Sequence, residues 1–442
     1  MASVGANADA VIHLPENSLP SVARVLQVVV CLLALADFVF RGIALAFSPG
    51  KTDFTELYTS AWLWRHGQNF YDSALVTRTA AHLAGSDVLI APVYPPTTVI
   101  AVAPFTFLPW PWANLLWLLL ALFAVGVTIA LLIRLGNFQI HETSTYLLVT
   151  VVLAFDPIHQ AFHLGNIALL VVPLCLAAMH FAQEERVFSA GILLSLATLL
   201  KPQLGIWVLI NYLIQRRKWF LVGAALPVFA FSFILLGYPV PAHTLISTYR
   251  LNLEHWFGVG RPYGFTEGAL PFHVNNIQVI LSQLGHQVAA DNVLAHAIFF
   301  CGLAVWLFAV CRGRFRAPVA LAVSSLIALS FVSLYHSVSD VSILTLALCW
   351  ALKRERETWT WPQRLTCLIL LLMLLPGHSA LMRITPHLTS QLTRSWWWKL
   401  FVARYFVWLL FALNVVLLRA LVASSTAANC SADGMREIRL AH

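Results

Sequence analysis

Between Lys51 and Asp72 the sequence runs KTDFTELYTSAWLWRHGQNFYD, directly after the first long apolar segment. Asp53 and Glu56 stand three residues apart with Tyr58 close behind, so both carboxyls would fall on one side of a helical turn. A carboxylate at the edge of a membrane is held in place and partly desolvated, which suits a general base. The same two acids also suit the first turn of a surface helix after Pro49-Gly50, where they would meet the helix dipole and need no chemistry. Spacing alone leaves both readings open.

Three further places put polar groups where apolar ones are expected. Lys201-Pro202-Gln203 interrupts LLSLATLL and LGIWVLI. A proline there bends the helix, and a lysine within hydrocarbon is costly unless it is paired or hydrated. Such a cation could bind a phosphate, or pair with an intramembrane carboxylate such as Asp156 or Asp37. In Tyr335-His336-Ser337-Val338-Ser339-Asp340, the imidazole and the carboxylate are four apart and would share a helix face. They could clamp an anion or simply stabilise a helix start. Asp156-Pro157 and Gly165-Asn166 bracket a turn, and Asn166 there reads as a helix cap or a hydroxyl ligand.

The elements that must hold these groups are helical and apolar. Of the 442 residues, 60% are hydrophobic and only 10% charged, and mean hydropathy is +0.78. A soluble domain carries roughly 25% charged residues, so the chain reads as one integral-membrane domain over 1–442 with no sizeable soluble part. Apolar segments are expected at about 24–47, 113–134, 145–162, 166–182, 187–200, 203–215, 219–237, 291–311, 317–335, 338–352, 364–376 and 399–422. The loop 48–93 should carry short helices near 53–66 and 71–84. The run 97–108 is too short to cross unaided, since a span needs about 20 residues. Either 95–109 dips in and returns while Lys201-Pro202 forms the apex of a helical V, or 95–109 crosses and 187–215 is one kinked span.

The formal charge of +8 does not form a basic face, because Lys and Arg sit in short groups between apolar runs. That pattern is topological and points to no nucleic-acid partner. If Arg24 is cytoplasmic, the basic groups and the tail 424–442 fall on that side, and the loops 48–93 and 238–290 fall on the other. No HExxH, phosphate-binding P-loop, GxSxG or dinucleotide fingerprint occurs, and no cofactor or metal site is expected.

The order Asp53-Phe54, Tyr58, Gly67, Tyr71-Asp72, then Tyr94-Pro95-Pro96, Pro104, Leu108-Pro109, then Gly165-Asn166, Gly191, Lys201-Pro202-Gln203, Arg216-Arg217, then Tyr335-His336 and Asp340 resembles glycosyltransferase family 87. The likeness covers about residues 25–350. It departs from the family pattern at Asn166, where a glutamine is common, and at Ser333-Leu334-Tyr335, which replaces the usual Ser-Pro.

The resemblance implies an all-α polytopic membrane protein of the GT-C class, a bundle of about 10–12 transmembrane helices with short re-entrant or broken ones. It also implies an inverting enzyme of the cell envelope, in a bacterial inner membrane, with its active site on the non-cytoplasmic side. A hexose, mannose first, would move from a polyprenyl-phosphate donor to a hydroxyl of a lipid or glycan acceptor, and membrane lipids would be its other partners. In that reading Asp53 is the general base and Glu56 its neighbour or substitute. Lys201, His336 and Arg65 take the donor phosphate. Tyr58, Tyr94, Asn166, Gln203 and Asp340 hold sugar hydroxyls or support the others. Aromatics of the loop 238–290, His255-Trp256-Phe257, would gate the acceptor, with interfacial anchoring as the alternative. A transporter or flippase for a lipid-linked or anionic substrate would share the broken helix and the buried Lys, His and Asp. It would not need the acidic pair outside the spans.

Overall fold

The computed structural model describes residues 21–44, 52–86, 88–214, 218–257, 261, 275–284, 288–312, 318–353, 359–374, 381 and 383–440. It is all-α, with no strand among the described residues. The chain enters through α1 (Ser21–Asp37), extended by a π-turn over Phe38–Ile43. It then forms two short polar-loop helices, α2 (Thr52–Arg65) and α3 (Ser73–Ala84). The short α4 (Pro96–Val102) and a 3-10 turn at Ala103–Phe107 lead to the long α5 (Trp110–Gly136).

Next come α6 (Thr143–Ala154), α7 (Asp156–Leu164), α8 (Ala168–Gln183), α9 (Val187–Leu200), α10 (Pro202–Ile214) and α11 (Lys218–Leu236). The second large loop carries α12 (Ala242–Phe257) and α13 (Gln278–Gln283). Two further helices, α14 (Val288–Arg312) and α15 (Val319–Ser333), precede a 3-10 stretch at Val338–Thr345. The chain ends through α16 (Leu346–Ala351), α17 (Trp361–Leu372) and a last long helix over Tyr405–Leu440, which continues through the expected tail region.

Among the described residues, five helices are long and apolar enough to cross a bilayer: Val22–Ile43, Trp110–Gly136, Trp219–Leu236, Val288–Arg312 and Tyr405–Thr426. The segment expected as one span at 145–162 is α6 and α7 joined at a 42° bend, which makes a sixth if the pair is counted as one. Proline explains the break, because Pro157 sits in the first turn of α7 and Phe155 ahead of it is extended. Other expected spans are apolar helices of 10–17 residues. Short and broken helices of this kind persist in a membrane only where neighbouring protein satisfies their ends.

The clearest such case is the turn at Lys201. Its backbone is extended, φ −149° and ψ 86°, as the residue before a proline prefers. A Cβ added to Gly205 would lie 2.5 Å from the backbone N of Thr198. Residues seven apart along one straight helix are about two turns apart, so α9 and α10 must fold back on each other. Lys201-Pro202 is therefore the apex of a V. The open carbonyls at the end of α9 are taken by α4, whose Thr97 and Thr98 hydroxyls donate to the carbonyls of Leu199 and Leu200, the second at 2.6 Å. The stretch 96–107 lies along α2: Tyr58 donates to the Leu108 carbonyl at 2.9 Å and Arg65 to that of Thr106 at 2.7 Å. On the far side of the V, α9 meets α11 backbone to backbone. A Cβ at Gly191 would stand 2.3 Å from the Phe220 carbonyl and one at Gly223 2.2 Å from that of Phe188, the small-residue contact by which membrane helices approach.

Candidate active site

A cleft of about 510 Å³ opens where α2, the segment before α4, the α7–α8 turn, the apex of the V, α12 and the Tyr335–Ser339 turn meet. Its lining includes the polar residues Asp53, Glu56, Tyr94, Asn166, Lys201, Gln203, Ser337 and Ser339. The rest of the lining is largely apolar and includes Val88, Leu89, Leu253, Trp256 and Phe257.

Asp53 is placed by the start of α2, which is anchored through the next residue. Phe54 is fully buried and stacks on Trp117 with ring centroids 4.5 Å apart. Asn166 is placed by Gly165, whose φ of +68° ends α7 in the left-handed turn that glycine adopts at no steric cost. The Asn166 side chain caps α8, its Oδ1 accepting from Ala168 N at 2.8 Å, as expected of an asparagine there. It also does more. The same Oδ1 accepts from Lys201 Nζ at 2.8 Å, while Nδ2 donates to Asp53 Oδ2 at 2.6 Å and to the Tyr94 hydroxyl at 3.2 Å.

Lys201 is 3% exposed. Its ammonium is ion-paired with Asp340, and neither Asp156 nor Asp37 is its partner. Those two acids instead take Arg41, Asp156 at 2.5 Å and Asp37 at 3.4 Å, tying the end of the first span to α7. Asp340 also accepts from Ser337 N at 3.1 Å. Behind it, His336 Nδ1 stands 3.6 Å from Asp340 Oδ2, and its Nε2 is 3.2 Å from Ser330 Oγ. The imidazole is fully buried and stacked on Phe331. A polar chain thus runs from Asp53 through Asn166 and Lys201 to Asp340, with His336 adjacent at 3.6 Å.

Two neighbours of Asp53 differ from it in proton affinity. Burial pushes the Glu56 carboxyl up to about 8, against the Val93 N–H that it accepts at 2.8 Å; the charge of Asp53 adds to the rise. Near pH 7 Glu56 is therefore mainly a neutral acid. Burial, with Asp53 and Glu56 beside it, holds the Tyr94 phenol well above its usual range, so it serves as a neutral hydroxyl.

Of the residues singled out in the sequence, Asp53, Glu56, Tyr94, Asn166, Lys201 and Gln203 meet at the cleft. Asp340 and His336 lie behind Lys201 and do not line it. Tyr58 faces the Leu108 carbonyl, and Arg65 sits over Phe107 at 4.4 Å while bonding Thr106, so neither lines the cleft. Of the expected gate residues, Trp256 and Phe257 line it and His255 does not. Ser337, Ser339, Gln160 and Tyr249 also line the cleft without having been singled out, although both serines lie inside the Tyr335–Asp340 motif.

Asn252 on α12 was also missed. It donates to the carbonyls of Tyr71 and Pro92, both at 2.9 Å, and accepts from Ser73, clamping the second loop onto the first. A lone asparagine among LNLEHWF gives no sequence signal for that role. Among the described residues, no group of three or more His, Cys, Asp or Glu is arranged to hold a metal ion.

The described helices form a membrane bundle with a cleft lined by acids and a buried lysine, and comparison with known proteins supplies the family. The family model of glycosyltransferase family 87 matches residues 93–337, more than half of the chain, and the chain belongs to that family. It is a multi-pass membrane protein of that family. The matched stretch holds Tyr94, Asn166, Lys201 and His336; Asp53, Glu56 and Asp340 lie outside it.

Among curated proteins, the chain is similar to the alpha-(1->3)-arabinofuranosyltransferases of two Mycobacterium tuberculosis strains, CDC 1551 / Oshkosh and ATCC 25618 / H37Rv. Each is 24% identical over 307 residues, 69% of this chain and 61% of the relative. The chain therefore spans less than two thirds of the length of these relatives. No solved structure matches.

Proposed function

We propose that the protein transfers a glycosyl group from a polyprenyl-phosphate donor to a hydroxyl of a lipid or glycan acceptor, with inversion, on the non-cytoplasmic face of a bacterial inner membrane. The observation that carries this reading is the convergence of Asp53 and Lys201 on one cleft whose lining is otherwise largely apolar. Such a site suits a substrate with a charged head and a hydrocarbon tail.

In this reaction the acceptor oxygen attacks the anomeric carbon as the bond from that carbon to the phosphate oxygen breaks. The acceptor proton passes to Asp53, and polyprenyl phosphate leaves with the bonding pair. Inversion follows from a single displacement, with base and leaving group on opposite faces of the sugar. The leaving group is already an anion, so it needs a cation rather than an acid, and Lys201 is the cation at the cleft wall. Asp340 and His336 support it from behind. Glu56, Tyr94, Gln203, Ser337 and Ser339 offer hydrogen bonds to sugar hydroxyls. Trp256 and Phe257 offer aromatic surface to the acceptor.

Mannose is the first sugar to test. The name of the mycobacterial relatives adds arabinofuranose as the second. Purified protein would be given polyprenyl-phosphate mannose and polyprenyl-phosphate arabinofuranose with a membrane lipid extract, and the anomeric configuration of the product would be read by NMR. Transfer from one donor with inverted configuration is the expected result. Transfer with retention, or movement of intact lipid-linked sugar across vesicles without transfer, would contradict it.

A further inference from the structure

We propose that Asn166 is a positioning residue whose amide is locked end-for-end by Lys201, and that this lock presents an N–H donor to Asp53 and so sets the direction and proton affinity of the base. The inference rests on the glycosyl-transfer reading of the cleft, but its geometry stands by itself. Asn166 Oδ1 faces two groups that can only donate, Lys201 Nζ and Ala168 N, each at 2.8 Å. Its Nδ2 faces Asp53 Oδ2 at 2.6 Å, and an ionised carboxylate can only accept. Both ends therefore agree on one orientation. A flip would set an N–H₂ against an ammonium and a carbonyl against a carboxylate.

The lysine is in turn fixed by Asp340, so it cannot drift away from the amide. A hydrogen bond given to the charged form of an acid favours that form. It also fixes one carboxylate oxygen of Asp53 in place. Lys201 thereby acts on the base through Asn166 as well as on the donor phosphate.

The test uses Asn166→Asp. That change keeps an oxygen for Ala168 and Lys201 and is nearly isosteric, so the cap and the fold are retained. The end facing Asp53 and the Tyr94 hydroxyl is altered, from a donor to a carboxylate oxygen. The other titratable groups on the elements around Asp53 stay the same: Glu56, Tyr94, Lys201, Asp340, His336, Asp156, His159 and His163 on α7, and Arg78 and His82 on α3. Lys201→Met is the second variant, since it frees the amide to turn while leaving Asn166 in place.

In detergent, the carboxyl stretch of Asp53 would be titrated by infrared difference spectroscopy. It would be assigned in each background by its loss in the matching Asp53→Asn protein. The expected result is a midpoint raised by about one pH unit or more in Asn166→Asp, as for two carboxyls sharing a site. A smaller rise is expected in Lys201→Met. In a transfer assay the acid limb of kcat/KM should move by the same amount while the donor KM of Asn166→Asp changes little. A residue that only supports the fold would lower the rate equally at all pH values. An Asp53 midpoint unchanged in both variants overturns the proposal. Because the titration needs no turnover, a shifted midpoint in a protein that transfers no sugar would defeat the transfer reading and leave the lock standing.

Discussion

A Cβ placed on Gly165 would stand 2.7 Å from the Cβ of Phe54, so the residues preceding Asn166 and following Asp53 touch with no room for a methyl group. Gly165 also has φ +68°. Gly165→Ala is therefore expected to meet both strain and overlap, costing about 1–3 kcal/mol. Because the overlap pushes α7 off α2, the loss of activity should exceed the loss of stability. Thermal unfolding in detergent, set beside kcat/KM at a temperature where the variant is folded, separates the two.

Glu56 sets an alkaline limit. Its carboxyl is raised from 4.5 to about 8, so the folded protein keeps a proton that the unfolded chain releases. That preference favours folding in full below about pH 4.5, and it is lost as the pH rises through 8. Above pH 8 a second charge would also appear beside Asp53. Activity of the wild type should fall there, whereas Glu56→Gln should lack that fall and should gain stability relative to wild type as the pH rises from about 4.5 to 8. A pH–rate profile that falls alike in both proteins would remove Glu56 from this role.

The V-shaped turn shows what was legible in the sequence and what was not. Proline after lysine marked the break at 201, but composition could not choose between a kinked span and a doubling back. The choice comes from Gly205 lying back against Thr198 and from Thr97 and Thr98, about 100 residues earlier in the chain, bonding the last carbonyls of α9. Asp53, Lys201 and Asn166 could each be singled out by type and neighbourhood. Their junction could not, because an asparagine that caps a helix gives the same local signal whether or not its other end meets a carboxylate. Arg65 illustrates the converse. The family resemblance placed it at the donor phosphate, yet its position two turns or more along α2 carries it away to Thr106.

That displacement is testable. Arg65→Gln should leave the donor KM within about twofold of wild type. The stability loss should be about 1 kcal/mol or less, since the side chain is exposed. A KM raised tenfold or more would return Arg65 to the phosphate site.

Lys201 and Asp340 should behave as a buried pair. Removing either partner leaves an uncompensated charge, and Lys201→Met or Asp340→Leu alone is expected to cost about 3–5 kcal/mol. The double variant should recover much of that stability in chemical denaturation, because an apolar pair of similar size avoids both desolvation costs. It should not recover activity, since the cation for the phosphate and the lock on Asn166 are both gone. Recovery of transfer in the double variant would show that the pair serves the fold alone.

The most direct measurement compares wild type with Asp53→Asn for transfer of radiolabelled sugar from polyprenyl phosphate to membrane lipid, using purified protein of matched folded content. Loss of the base should lower the rate by about 100-fold or more while the variant keeps its thermal transition. Equal transfer by the two proteins would contradict Asp53 as the base and with it the chemistry assigned to this cleft.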